Sequence, residues 1–130
     1  MSVTYFIPDN TRVYAIGDIH GRADLLDHMH ELIAIDLVRN PVLKPVIIYL
    51  GDYIDRGPES FRTMDILSER FFMNDGLDRR FLIGNHEKAM LTFIQGAATS
   101  QSWLRFGGVE TLQSYGIEID IEKISFGYLQ

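Results

Sequence analysis

A parallel α/β sheet built as strand, helix, strand, helix, strand, helix is the fold class this sequence predicts. Three observations predict it. Short apolar runs alternate with amphipathic stretches along the chain. Each of three apolar runs stops at a glycine. A metal-capable side chain follows each of those glycines, in Gly17-Asp18, Gly51-Asp52 and Gly84-Asn85.

The elements follow in order. Residues 12–16 (Arg-Val-Tyr-Ala-Ile) are β-branched and aromatic and predict a first strand. From 22 to about 38, Leu25, Leu26, Met29, Leu32, Ile33 and Leu37 recur at helical spacing, and Asn40-Pro41 ends that helix. Residues 46–50 (Val-Ile-Ile-Tyr-Leu) form a continuous apolar run, as in a strand buried on both faces. Pro58 suits the first turn of a second helix running to about Phe72, with Phe61, Met64, Leu67 and Phe71 on its apolar side. Residues 80–83 predict a third strand and 87–95 a third helix; a loop is expected from Gly96 through Ser102. A short helix over 109–115 closes at Gly116. Beyond it Ile117, Ile119 and Ile121 alternate with acidic residues, the pattern of a further strand.

At 130 residues the chain (1–130) is one domain or part of one. A hydrophobic fraction of 46% excludes compositional disorder. The net charge of −6 argues against a nucleic-acid surface, which needs clustered Lys and Arg. It leaves a phosphate substrate open, because bound cations reverse the local field. The absence of cysteine excludes disulfides and thiolate zinc sites. The first residues lack a basic segment followed by a long apolar one, and no apolar run reaches membrane-spanning length. A soluble cytoplasmic protein without a membrane partner is the expectation.

In parallel α/β sheets the carboxyl ends of the strands line the ligand crevice, so Asp18, Asp52 and Asn85 are expected at one edge. His20, two residues after Asp18, reaches the same centre. Two carboxylates, an imidazole and a carboxamide oxygen, with no sulfur, favour manganese, iron or zinc. Asp52, on the middle strand, is placed to bridge two ions. Two ions roughly 3.5–4 Å apart can generate a hydroxide nucleophile and hold a phosphoryl group for in-line attack. Each Gly-Asp taken singly is better read as a turn. Three together, with His20 and His86 beside them, are not.

The blocks Gly17-Asp18-Ile19-His20-Gly21, Gly51-Asp52-Tyr53-Ile54-Asp55-Arg56-Gly57 and Gly84-Asn85-His86-Glu87 resemble the three signature blocks of the phosphoprotein phosphatases. These belong to the calcineurin-like metallophosphoesterases. The stretches 103–108 and 111–116 resemble bacterial members more loosely. The resemblance implies a parallel βαβαβα half of an α/β/β/α sandwich. It implies two divalent metal ions, with Asp18 and His20 holding the first, Asp52 bridging and Asn85 ligating the second. It makes His86 the general acid, Asp55 the group orienting its imidazole, and Arg56 the phosphate clamp, roles that suit an imidazole near neutral pH and a guanidinium fork.

Arg22 either approaches an anion or is a solvated helix start. His28 and His30, two positions apart on a helix, cannot share a site and are expected to be ordinary helix residues. Trp103 and Phe106 are expected in the core rather than the cleft wall. Complete family members are longer, and the two histidines outside the blocks are His28 and His30. The expectation is therefore a fragment with one site incomplete; a form completed by a second chain and a non-catalytic binding module are the alternatives. Half a sandwich exposes an apolar sheet face, open to a dimer partner. The implied activity is metal-dependent hydrolysis of a phosphoprotein or phosphorylated small molecule, foremost phosphoserine or phosphothreonine. Symmetrical dinucleoside tetraphosphate hydrolysis is the second reading, which Asp55 disfavours.

Overall fold

The computed structural model describes residues 4–96 and 102–120. Strands β1 (Thr11–Ile16), β2 (Lys44–Tyr49) and β3 (Asp78–Phe81) alternate with helices α1 (Ala23–Arg39), α2 (Ser60–Phe72) and α3 (Asn85–Ile94), followed by α4 (Val109–Ser114). The strands lie side by side in the order β1-β2-β3, all parallel. The expected α/β architecture is what forms. Because crossovers between parallel strands keep one hand, stepping in one direction across the sheet puts α1 and α2 on one face. The contacts agree: His30 of α1 meets the Tyr49 hydroxyl at 2.9 Å, and the Phe71 ring of α2 meets Phe81, which stacks on Tyr49.

Between these helices and the sheet sits the core, built on Ile16, Leu26, Ile33, Ile47, Tyr49 and Leu67. The opposite sheet face carries Val13, Ala15, Val46 and Ile48 and continues with Leu50 and Leu82, which are 49% and 51% exposed. The apolar stripe of α1 is also wider than its packed face. Leu26 and Ile33 are buried, whereas Leu25, Met29 and Leu32 remain about half exposed.

Several boundaries differ from the sequence reading; β2 and α3 each begin two residues early, at Lys44 and Asn85. Strand β3 spans 78–81, not 80–83, because its pairing with β2 begins at Val46 and Asp78. Arg79 there is neutralised by a bidentate pair with Asp75 at 2.6 and 2.7 Å. Helix α2 begins at Ser60, so Pro58 lies in the preceding turn. Residues 104–108, to which the sequence assigns no element, form a wide helical turn kinked at Phe106 and Gly107. Of the further strand, residues 117–120 take no regular structure and Ile121 lies outside the described residues. No helix among the described residues is long and apolar enough to cross a membrane.

His28 and His30 do point apart. His28 is exposed beside Glu31, while His30 is half-buried against a cavity of about 420 Å³ that also borders Asp27, Arg70 and Arg79. Burial first, then the Arg70 and Arg79 charges against the opposing Asp27, lowers the His30 pKa to about 4. The unfolded chain takes that proton near pH 6.5. Between those values the unfolded state binds more protons, so stability falls as pH drops through the window and levels off below it. Thermal melts from pH 7 to 4 are expected to show a shallower decline for His30→Gln than for the wild type; equal slopes would contradict the assignment.

Candidate metal centre

The carboxyl ends of the three strands converge, and backbone bonds hold their loops together. The amides of Ile19 and His20 both donate to the Asp52 carbonyl at 3.0 Å, and that of Gly21 to Tyr53 at 2.8 Å. Gly84 lies so close to Asp52 that a Cβ there would stand inside its carboxylate, which is why the third loop needs glycine. Of the non-glycine residues with positive φ among those described, Asn10 lies elsewhere. The other four are His20 (46°), Asp52 (53°), Asp55 (74°) and Arg56 (69°). Left-handed backbone at such residues persists only where surrounding bonds enforce it, and it concentrates at functional sites.

At Asp52 it is Glu87 that enforces it. Its carboxylate accepts the amides of Asp52, Tyr53 and Gly84 at 2.8 Å each, and that of Ile54 at 3.3 Å. One side chain therefore ties the second loop to the start of α3. Asp52 adds a second tie, because its Oδ1 accepts the His86 amide at 3.1 Å in the first turn of α3. Beneath them Tyr53 donates to the Leu82 carbonyl at 2.5 Å; burial and then the Glu87 charge push its phenol up to about 12.

His20, Asp52 and His86 offer ligand atoms within 4.8 Å of one another. His20 Nδ1 donates to the Ile54 carbonyl at 2.8 Å, which fixes the tautomer and leaves Nε2 as an electron pair facing the centre. His86 Nδ1 is likewise engaged with Asp55 Oδ2 at 2.7 Å. Both free Nε2 atoms meet one guanidinium: Arg56 Nη1 lies 3.3 Å from His20 and Nη2 lies 3.4 Å from His86. A cationic group thus already stands where the two imidazole electron pairs converge. The pocket's nitrogen and oxygen donors fit a divalent cation on the same ground.

The remaining candidates fall into place around this cluster. The Asp18 carboxylate, 67% exposed, lies 3.8 Å from His20 Nε2. Asn85 is exposed and lines a cavity of about 290 Å³ with Arg56, His86 and Phe106. Asp55 is fully buried. Arg22 is not directed at the centre; it makes a bidentate pair with Asp24 at 2.7 and 2.8 Å, which lowers that carboxyl to about 2.

Trp103 and Phe106 part company. Trp103 is in the core as expected, but its indole also donates to Asp55. Phe106 is 65% exposed beside His86, not packed, because the kink at Gly107 turns it outward. Sequence reasoning assigned no role to Glu87, Trp103, Thr111 or Ser60. Only Glu87 carried a local signal, a glutamate at the third position of a helix.

The family model for calcineurin-like phosphoesterases matches residues 11–128. The chain is 31% identical over 97 residues to serine/threonine-protein phosphatase 2 of Escherichia coli, covering 74% of this chain and 38% of that protein. It is also 31% identical over 97 residues to a symmetrical bis(5'-nucleosyl)-tetraphosphatase of Methylococcus capsulatus, covering 75% of this chain and 31% of that one. A serine/threonine-protein phosphatase of Saccharomyces cerevisiae is 30% identical over 112 residues, 84% of this chain and 27% of its own length. The chain thus spans well under half the length of these relatives.

Proposed function

The chain belongs to the calcineurin-like phosphoesterase family, and on that premise we propose that it carries the metal- and phosphate-binding core of a phosphomonoester hydrolase acting on phosphoserine or phosphothreonine in proteins. The observation that carries this reading is the buried Asp55–His86 pair, whose 2.7 Å bond leaves Nε2 directed at the centre.

Asp18, His20 and Asp52 would hold the first cation and Asp52 and Asn85 the second; manganese is the expected ion. Divalent ions bound there supply Lewis acidity toward the phosphoryl oxygens and a nucleophilic water at neutral pH. The chain's own residues do the rest. Arg56 exchanges its two imidazole contacts for two phosphate oxygens, a geometry its fork matches. Asp55 keeps the proton of His86 on Nδ1, so a second proton on Nε2 faces the leaving oxygen and is given to it as the phosphorus–oxygen bond breaks. A serine or threonine alkoxide is a poor leaving group and gains most from that proton.

Tetraphosphatase activity is the competing reading, since one relative bears that name. A nucleotide phosphate leaves readily and has less need of a donor held by a buried carboxylate. Manganese-dependent release of phosphate from a phosphoserine peptide, set against cleavage of diadenosine tetraphosphate, separates the two. At least about tenfold higher kcat/KM on the peptide is expected, in keeping with the range general acids supply. Preference for the dinucleotide would reverse the assignment.

A further inference from the structure

We propose that Trp103 and Thr111 are positioning residues for the Asp55–His86 pair, which makes the proton donor a four-residue assembly closed by the segment 103–111. The inference rests on His86 being the proton donor. Asp55 Oδ2 accepts from His86 Nδ1 at 2.7 Å and from Trp103 Nε1 at 2.6 Å, while Oδ1 accepts from Thr111 Oγ1 at 2.6 Å. The Thr111 oxygen also accepts the Asp55 amide at 2.9 Å. A hydroxyl has one proton, and the charged oxygen at 2.6 Å takes it; the 3.1 Å contact with Ser60 is then donated by the serine. Ser60 Oγ in turn accepts the Asp55 amide at 3.1 Å.

Three donors on a carboxylate with no exposed surface fix its plane, and that plane sets the angle of the His86 ring. Packing alone does not require this arrangement. An indole can only donate, and any buried acceptor would satisfy it. Here it shares the oxygen that holds the imidazole. The segment is itself fitted to the site. Gly108 lies under the indole, where a Cβ would enter the ring, and the Gly107 carbonyl accepts the Arg56 amide at 3.2 Å. Gly107 has φ of 110°, and a Cβ there would press on the Arg56 backbone nitrogen. A single loop therefore sets both the proton donor and the phosphate clamp.

Trp103 is the sole tryptophan of the chain, so its indole N–H gives one resonance in a ¹H–¹⁵N spectrum. That resonance is expected downfield and slow to exchange without any metal, and Asp55→Asn is expected to move it upfield. A solvent-like resonance indifferent to Asp55→Asn overturns the contact.

The kinetic arm uses manganese-loaded protein with phenyl phosphate, a poor leaving group, and p-nitrophenyl phosphate, a good one. Trp103→Phe and Thr111→Val are each expected to lower kcat on phenyl phosphate about tenfold and on p-nitrophenyl phosphate by no more than about twofold, with KM unchanged. Neither substitution should add to the loss already made by His86→Asn. Equal losses on both substrates, or losses that multiply with His86→Asn, reduce both residues to structural ones. Should Trp103→Phe fail to fold, Thr111→Val and the indole resonance still decide. If His86→Asn alone shows no dependence on the leaving group, the proton-donor reading fails first and takes the kinetic part with it. The indole resonance then reports separately on the contact.

Discussion

Replacing Asp52 with asparagine is expected to lower manganese-dependent hydrolysis of p-nitrophenyl phosphate by more than about 100-fold, since even partners one shell out from a metal are worth 10–100-fold. The fold should survive. Asparagine keeps an oxygen at the Oδ1 position, so the 3.1 Å bond from the His86 amide at the start of α3 remains available. What disappears is the negative charge that would draw cations to the His20–Asp52–His86 cluster. Manganese binding to folded protein raises its melting temperature by mass action. Wild-type chain should therefore melt higher with manganese than with chelator, and Asp52→Asn should melt alike in both. A variant that still gains stability from manganese would remove Asp52 from the ligand set.

Glu87→Ala should be the most destabilising single change near the site. Three amide donors at 2.8 Å and a fourth at 3.3 Å lose their acceptor together. A buried donor left unpaired costs about 1–3 kcal/mol, and water can reach only some of these. A loss of at least about 3 kcal/mol follows, seen as a melting temperature lower by roughly 10 °C or more for a domain of this size. The same change frees Asp52 from its left-handed backbone, so manganese should bind more weakly as well. Glu87→Gln should recover part of both, because an amide oxygen still serves some of the donors. An alanine variant that melts within about 3 °C of the wild type would show that the loop holds its own shape.

Much of the architecture was legible because its signals are local. The runs ending at Gly17 and Gly51 place β1 and β2 within two residues, and the three motif blocks name the loops that meet. Strand β3 was misplaced by two residues because Asp78 and Arg79 do not look like strand. Their charges are paired only in the folded chain's contacts, Arg79 with Asp75 and Asp78 with Arg80. Phe106 was expected inside because apolar residues usually are; a kink set by one glycine turns it out. The supports of Asp55 lay beyond sequence reasoning altogether. Trp103 and Thr111 are 48 and 56 residues away, and nothing in a tryptophan or threonine announces that a distant carboxylate is its partner. Nor does any pattern forecast left-handed backbone at Asp52, Asp55 and Arg56, positions where glycine would be the ordinary choice.

The strand order β1-β2-β3 is also the order of synthesis. Each strand after the first, on leaving the ribosome, finds the neighbour that precedes it already made, and the sheet can grow by accretion without waiting for distant chain. The assembly around Asp55 keeps a different clock. Its last donor, Thr111, is 56 residues downstream, a delay of about 3–11 s at ordinary rates of translation. Once β3 is made at Phe81, the nascent chain has all three strands while Asp55 still lacks Trp103 and Thr111. The loops that gather His20, Asp52 and His86 are thus complete in the chain before the last donors to Asp55 exist.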